Sequence, residues 1–159
     1  KIWFARHYKA YEPNTVLLDN ELATMGAGLP AAIGAKLVHP KRAVVAICGD
    51  GGFMMSVAEL QTAQTEKLPI IAVVFDDQEI GLIRVKQEIK GIPRHGVKIG
   101  GVDWEKLGHA FGCDAAVVET EQGLGDALGA ALKSGRTTVI GARIDPSGYV
   151  AQFNALREL

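Results

Sequence analysis

Two acidic segments stand where buried strands are predicted to end. Residues 49–52 read GDGG and follow one continuous apolar run, and Asp76-Asp77 follows a second. Asp77 lies 27 positions after Asp50. That interval suits a strand–helix–strand unit, which brings the chain back to the same edge of a parallel sheet, one strand over. The spacing therefore predicts that the carboxylates of Asp50 and Asp77 lie a few ångströms apart.

Paired carboxylates without a counter-charge repel, and each raises the pKa of the other. A divalent cation removes the conflict, and Mg²⁺ prefers one or two carboxylates together with phosphate oxygens. The amides of Gly51 and Gly52, at a helix N-terminus, can hold those phosphate oxygens. The pattern predicts a metal–diphosphate site. It is not a P-loop, because no Lys-Ser/Thr pair follows the glycines. The simpler reading, in which Asp50 and Asp76 are turn or cap residues, stays open.

A second glycine motif competes for the phosphate-binding role. Gly26, Gly28 and Ala31 in GAGLPA match the dinucleotide fingerprint, and Asp50 follows Ala31 after 19 positions. The fingerprint should directly follow a strand, but seven positions separate Gly26 from the end of the predicted strand at 15–19. The alternative is that Gly28 and Gly34 simply permit close helix packing. Both readings remain open at this stage.

These motifs must be positioned by alternating strands and helices. Apolar, β-branched runs predict strands at 15–19, 43–48, 69–75, 114–118 and 137–144. Amphipathic runs predict helices at 2–11, 30–39, 56–67, 103–111, 121–132 and 147–159, with a further helix after the loop that begins at Asp76. Ser56 and Glu59 have capping-box spacing, and 89–101 reads as a loop. The fold class is α/β: a doubly wound, mostly parallel open sheet with helices on both faces.

Composition limits the classes of protein. The 159 residues suit one domain, spanning 1–159, with 48% hydrophobic and 22% charged residues. A net charge of −1 gives no sign of a nucleic-acid partner, and no apolar run has the length of a membrane span. Two cysteines do not make a disulfide framework, so a cytoplasmic setting is the default expectation. The first residue is not Met, and we expect a fragment or subunit of a larger enzyme.

The stretch ATMGAGLPAAIGAKLVHPKRAVVAICGDGGFMMSVAELQTA, with Asp77 downstream, resembles a known family. It is similar to the C-terminal cofactor-binding domain of thiamin-diphosphate-dependent enzymes of the acetolactate synthase and 2-oxo acid decarboxylase type. The resemblance covers nearly the whole chain. It implies an enzyme that uses thiamin diphosphate and Mg²⁺ to decarboxylate a 2-oxo acid, then ligates or releases the aldehyde unit. A benzoylformate- or oxalyl-type decarboxylase domain is the alternative.

The resemblance also implies roles for individual residues. Side chains of Asp50 and Asp77 and the carbonyl of Glu79 would ligate Mg²⁺. Met25 would lie under the cofactor and bend it, and the carbonyl of Ala23 would hold its 4′-amino group. The full cofactor-binding set comprises Ala23, Thr24, Met25, Gly49, Asp50, Gly51, Gly52, Asp77, Glu79, Gly81 and Leu82.

The resemblance places the activating glutamate elsewhere. In this family it belongs to a pyrimidine-binding domain of the same enzyme or of a partner subunit, and no segment of this chain resembles that domain. We therefore expect no catalytic residue in this chain, no turnover by the chain alone, and a homo-oligomeric full enzyme. Asp76 stands where many members have Asn. The basic residues between 84 and 98 either face an anionic substrate or form a solvated surface.

Overall fold

The structure, a computed structural model, describes residues 2–155. The strands are β1 (Val45–Gly49), β2 (Ile71–Asp76), β3 (Asp114–Val118) and β4 (Thr138–Arg143). The helices are α1 (Ile2–His7), α2 (Gly28–Val38), α3 (Asp50–Met54), α4 (Glu59–Thr65), α5 (Gly81–Ile89), α6 (Trp104–Ala110), α7 (Glu121–Ser134) and α8 (Tyr149–Ala155). A 3₁₀ turn covers Pro146–Gly148.

The strands form one parallel sheet in the order β1-β2-β4-β3. Strands β2 and β4 lie in the middle and are buried along almost their whole length. Their mostly apolar composition suits a strand covered on both faces. The predicted α/β class with a parallel sheet is confirmed.

Helices cover both faces of the sheet. The chain steps from β1 to β2 and on to β3, then reverses to place β4 between β2 and β3. Because a parallel crossover is right-handed, this reversal carries α7 to the opposite face. One face packs against Leu29, Phe53, Leu60 and Trp104. The other packs against Leu124, Ala127, Leu128 and Ala131 of α7.

The predicted strand at 15–19 is wrong. This segment has no regular secondary structure, and Leu17 is 74% exposed. A short apolar run becomes a strand only when a neighbouring strand supplies hydrogen bonds, and no described strand pairs with these residues.

The predicted capping box at Ser56 is also wrong. Helix α4 begins at Glu59 with Ala58 as its N-cap residue. The amide of Ser56 instead donates to the carbonyl of Phe53, 3.1 Å away, so Ser56 closes the turn after α3. Its hydroxyl is buried without a hydrogen-bond partner among the described residues.

The first helix is shorter than predicted, and the last begins two residues later than predicted. Helix α1 ends at His7 rather than at position 11, and α8 is described from Tyr149 to Ala155. The rest of the predicted last helix, residues 156–159, lies outside the described residues. Among residues 2–155, no helix combines the length and apolar character needed to cross a membrane.

Candidate functional site

The carboxyl ends of β1 and β2 form the edge that carries the acidic motifs. Gly49 of β1 pairs in register with Phe75 of β2. Asp50 and Asp76 therefore come at the same level of the sheet, and Asp77 lies one residue beyond. Ligands of open parallel sheets bind outside this edge.

Asp50 links the two strand ends. Its carboxylate accepts the amide of Gly51 at Oδ1 and the amide of Gln78 at Oδ2, both at 2.7 Å. The side chain is only 3% exposed. Burial is the main cause that raises the pKa of Asp50 to about 6. The negative charge of Asp77 also raises this pKa, whereas the two hydrogen bonds lower it. The site thus holds an acid whose ionised form lacks a counter-charge.

Asp77 lies beside Asp50 and is also destabilised as an anion. Burial raises the pKa of Asp77, partly offset by the amide of Glu79, which lies 3.4 Å from Oδ1. A Cβ atom at Gly81 would lie 2.7 Å from Asp77 Oδ2 and 2.8 Å from Tyr149 Cε2. The lack of a side chain at Gly81 therefore lets Asp77 and Tyr149 approach the start of α5.

The segment that carries Asp77 is shaped by distant residues. Gln78 adopts a left-handed backbone conformation with φ of 61°, which is uncommon for a residue other than glycine. Its carbonyl accepts the amide of Ile99 at 2.9 Å, and the amide of Ile80 donates to the carbonyl of Val97 at 2.8 Å. The loop at 97–99 thus stabilises the strained turn after β2.

Small residues form the floor next to Asp50. A Cβ atom at Gly51 would lie 2.7 Å from Ile99 Cδ1 and 3.5 Å from Met25 Cε. A Cβ atom at Gly52 would lie 3.6 Å from the amide nitrogen of Gly26. The loop that contains Met25 therefore packs directly against the first turn of α3, with Met25 itself 44% exposed.

Asp76 points into the core rather than sharing the role of Asp77. It is 4% exposed, and the indole Nε1 of Trp104 donates to its Oδ2 at 3.0 Å. Its Oδ1 has no hydrogen-bond partner among the described residues. Trp104 also meets Phe53 of α3 edge to face, with ring centroids 5.8 Å apart. Asp76 thus connects β2 to α6 and, through Trp104, to α3.

The dinucleotide fingerprint lacks the strand that should precede it, because 15–19 is irregular. A Cβ atom at Gly28 would lie 2.6 Å from Cys48 Sγ, so Gly28 lets α2 approach β1 closely. This contact favours the packing interpretation of Gly28. The same interpretation of Gly34 is wrong, because a Cβ atom there would meet no atom within 4 Å. Cys48 is buried and free.

The other predicted site residues lie around the same edge. Ala23 has a left-handed backbone with φ of 52°, and the amide of Thr24 donates to Asp19 Oδ2 at 3.1 Å. Gly49 ends β1, and Leu82 is exposed in the first turn of α5. Within residues 2–155, no three His, Cys, Asp or Glu side chains converge on one point. A cation held by Asp50 and Asp77 would need backbone and ligand oxygens as well.

Two residues next to the site were not found from the sequence. Burial raises the pKa of Tyr149, and the charge of Asp77 and a hydrogen bond to it act in the same direction. Arg84, predicted as part of a basic surface or substrate site, is instead 6% exposed and forms an ion pair with Glu79 at 2.9 Å. The contact of Tyr149 with Asp77 depends on tertiary packing, because the two residues lie 72 positions apart. The burial of Arg84 also depends on packing, although Glu79 is close to it in sequence. A cavity of ≈ 590 Å³ opens beside them, bordered by Asp77, Arg94 and Asp145.

Comparisons with known proteins identify the family of the chain. Residues 1–142 match the family model described as the C-terminal TPP binding domain of thiamine pyrophosphate enzymes. The chain is 36% identical to an acetolactate synthase of Bacillus subtilis over 94% of its own length and 26% of that protein. It is 35% identical to a catabolic acetolactate synthase of Raoultella terrigena, covering 91% of the chain and 26% of that protein. For the acetolactate synthase isozyme 2 large subunit of Escherichia coli the identity is 33%, covering 91% and 27%. The chain spans about a quarter of the length of these relatives.

Proposed function

The chain belongs to the family of thiamine pyrophosphate enzymes, as its C-terminal TPP-binding domain, and we propose that it binds thiamin diphosphate through Mg²⁺ at the edge formed by Asp50 and Asp77. Thiamin diphosphate and thiamine pyrophosphate are the same compound. Within a larger enzyme, this chain provides the diphosphate-binding half of an acetolactate-synthase-like active site.

The observation that supports the proposal most directly is the contact between Asp50 and the turn after β2. Asp50 Oδ2 accepts the Gln78 amide at 2.7 Å, so Asp50 lies against the peptide unit that follows Asp77. Both carboxyl groups have raised pKa values with burial as the main cause. A divalent cation bound between them would supply the missing positive charge.

The donor set suits Mg²⁺. Two carboxylates from Asp50 and Asp77, the carbonyl of Glu79 and oxygens of a diphosphate are the hard oxygen ligands that Mg²⁺ prefers. In this proposal the side chain of Glu79 takes no part, because it already pairs with Arg84.

Backbone groups would hold the diphosphate. Gly51 and Gly52 lie at the first turn of α3, and Gly81 and Leu82 lie at the first turn of α5. A side chain at Gly51 would meet Ile99 and one at Gly81 would meet Asp77, so neither position has room for a side chain. Met25 borders the Gly51 floor, which suits a residue that supports the cofactor, with the carbonyl of Ala23 on its 4′-amino group.

When bound, the cofactor would stabilise a carbanion at the former 2-oxo carbon of the substrate. The residues of this chain bind and orient the cofactor, while the activating glutamate comes from a pyrimidine-binding domain of the same enzyme or of a partner subunit. The substrate is a 2-oxo acid, and the aldehyde unit left after decarboxylation is ligated or released. The similarity to three acetolactate synthases favours ligation. The full enzyme is proposed to be a homo-oligomer.

Calorimetric titration tests the cofactor site. Thiamin diphosphate should bind in the presence of Mg²⁺ and lose measurable binding in EDTA or in Asp50→Ala. Asp126→Ala is the matched control, because Asp126 is an exposed carboxylate of α7 that pairs with Gln122. Binding that does not need metal, or tight binding of NAD instead, would contradict the proposal.

A second experiment separates the two reactions. The chain, combined with a pyrimidine-binding domain, is incubated with pyruvate or benzoylformate, and the products are identified. Acetolactate from pyruvate supports the synthase-like assignment. Benzaldehyde from benzoylformate, without ligation, supports the decarboxylase alternative.

A further inference from the structure

Arg84 is a buried cation that faces two carboxylates. Its Nε lies 2.9 Å from Glu79 Oε2, an ion pair without hydrogen-bond alignment, and its Nη1 donates to Glu88 Oε2 at 3.0 Å. Its Nη2 donates to the carbonyl of Pro146 at 3.4 Å, across 62 positions of sequence. Because three of its nitrogens contact three different residues, the orientation of this guanidinium is defined by packing and not by α5 alone.

The contacts of Arg84 fix the position of the Glu79 carboxylate. This residue lies two positions after Asp77, and its carboxylate is only 16% exposed. One oxygen contacts Arg84, and the other lies 4.0 Å from Nη1 of Arg94. Each oxygen of Glu79 thus faces an arginine, closely in the case of Arg84 and more distantly in the case of Arg94. Without Arg84, the carboxylate of Glu79 would face only the exposed Arg94, 4.0 Å away, beside the two carboxylates that form the candidate metal site.

We propose that Arg84 is a positioning residue that determines metal selectivity by holding the carboxylate of Glu79 away from the ion. The inference rests on the proposed function. Mg²⁺ is bound by one or two carboxylates in an octahedral shell, whereas Ca²⁺ accepts six to eight oxygens and tolerates bidentate carboxylates. A site limited to Asp50 and Asp77 favours Mg²⁺, and a free third carboxylate favours Ca²⁺.

The geometry requires arginine rather than any cation. Nε and Nη1 point in different directions on one rigid plane, so a single residue can contact Glu79 and Glu88 together. Lysine has a single ammonium group on a flexible stem. Arg84→Lys is therefore expected to retain only part of the selectivity.

The test is a calorimetric measurement of Mg²⁺ and Ca²⁺ affinity in the full chain with thiamin diphosphate present. In Arg84→Met, the affinity for Ca²⁺ relative to Mg²⁺ should rise about tenfold, the scale of changes around metal ligands. Adding Glu79→Gln to Arg84→Met should return the ratio to the wild-type value, because the amide has no charge. Lys86→Met, an exposed cation on the same helix, is the matched control and should leave the ratio unchanged.

The outcomes separate the inference from the proposed function. A wild-type chain that does not bind thiamin diphosphate with Mg²⁺ contradicts the proposed function itself. Normal wild-type binding with an unchanged ratio in Arg84→Met overturns the role of Arg84. The role of Arg84 is also overturned if Arg84→Met lowers the affinities for Mg²⁺ and Ca²⁺ equally and Glu79→Gln does not restore them. That result indicates only a structural role. If circular dichroism shows that Arg84→Met is unfolded, Arg84→Gln replaces it, with the same expected shift and the same contrary result.

Discussion

Two strand–helix junctions of this protein begin their helices in different ways. After β3, Thr120 is the N-cap of α7, and its hydroxyl accepts the amide of Gly123 at 3.1 Å. After β1, Gly49 precedes α3, and no side chain caps the helix. The first helix residue of α3 is the buried Asp50, whereas α7 begins with the exposed Glu121.

The β3–α7 junction is built for stability, whereas the β1–α3 junction is suited to ligand binding. Helix α7 has fourteen residues, a side-chain cap and a left-handed glycine at its end, Gly135, so local interactions stabilise it. Helix α3 has five residues and depends on the burial of Phe53. The β1–α3 junction has glycines instead of a cap and a buried carboxylate instead of an exposed one. Such a junction contributes less to folding and leaves space and charge for a ligand.

The largest expected effect comes from neutralising the acid of the β1–α3 junction. Asp50→Asn should weaken Mg²⁺-dependent binding of thiamin diphosphate by about 100-fold or more, since changes around metal ligands already cost up to that amount. The measurement is isothermal calorimetry at pH 7.5. A loss below threefold would mean that this junction is no different from the one after β3.

The same substitution should change how stability depends on pH in metal-free buffer. Burial raises the pKa of Asp50 from 3.8 to about 6, so the folded chain binds this proton more tightly than the unfolded chain does. The stability gained from the proton is complete below pH 3.8 and is lost as the pH rises through 6. The free energy of unfolding of the wild type, relative to Asp50→Asn, should therefore fall across that window and then level off. Urea unfolding in EDTA measures it, and a difference that rises with pH would contradict the shift.

A pair of glycine substitutions sharpens the comparison. Gly81→Ala places a Cβ atom 2.7 Å from Asp77 Oδ2. Overpacking of this kind costs about 1–3 kcal/mol, and we expect about tenfold weaker cofactor binding, equivalent to about 1.4 kcal/mol. Gly125→Ala meets no atom within 4 Å on α7 and should raise stability by about 0.5–1 kcal/mol. Calorimetry measures the cofactor affinity of both variants, and thermal unfolding measures their stability. Equal changes in the two variants would contradict the expected difference between the junctions.

The smallest effect is expected at the cap of α7. Thr120→Ala removes the acceptor for the amide of Gly123 and should lower the free energy of unfolding by about 1 kcal/mol. Cofactor affinity should stay at the wild-type value, because Thr120 follows β3, away from Asp50 and Asp77. A change in cofactor affinity larger than the error of the titration would show that the two junctions are coupled.

Sequence reasoning was most successful where the signal is local and repeated. The continuous apolar runs that end before Asp50 and Asp76 predicted β1 and β2, because a strand covered on both faces has no polar positions. The spacing from Asp50 to Asp77 predicted that both lie at one edge of the sheet, where the structure has them. The run at 15–19 has similar composition but no partner strand, and composition alone does not reveal that absence.

By itself, the sequence determined the alternation of strands and helices, the glycines around Asp50 and the acidic pair that points to a cation. These properties follow from residue type and short spacing. Only the tertiary structure decided that Asp76 turns inward to Trp104, that Arg84 contacts both Glu79 and Pro146, and that Tyr149 reaches Asp77. The contacts of Asp76 with Trp104, of Arg84 with Pro146 and of Tyr149 with Asp77 join residues 28 to 72 positions apart. They depend on how the elements pack, because the energy of a charge depends on what surrounds it in space.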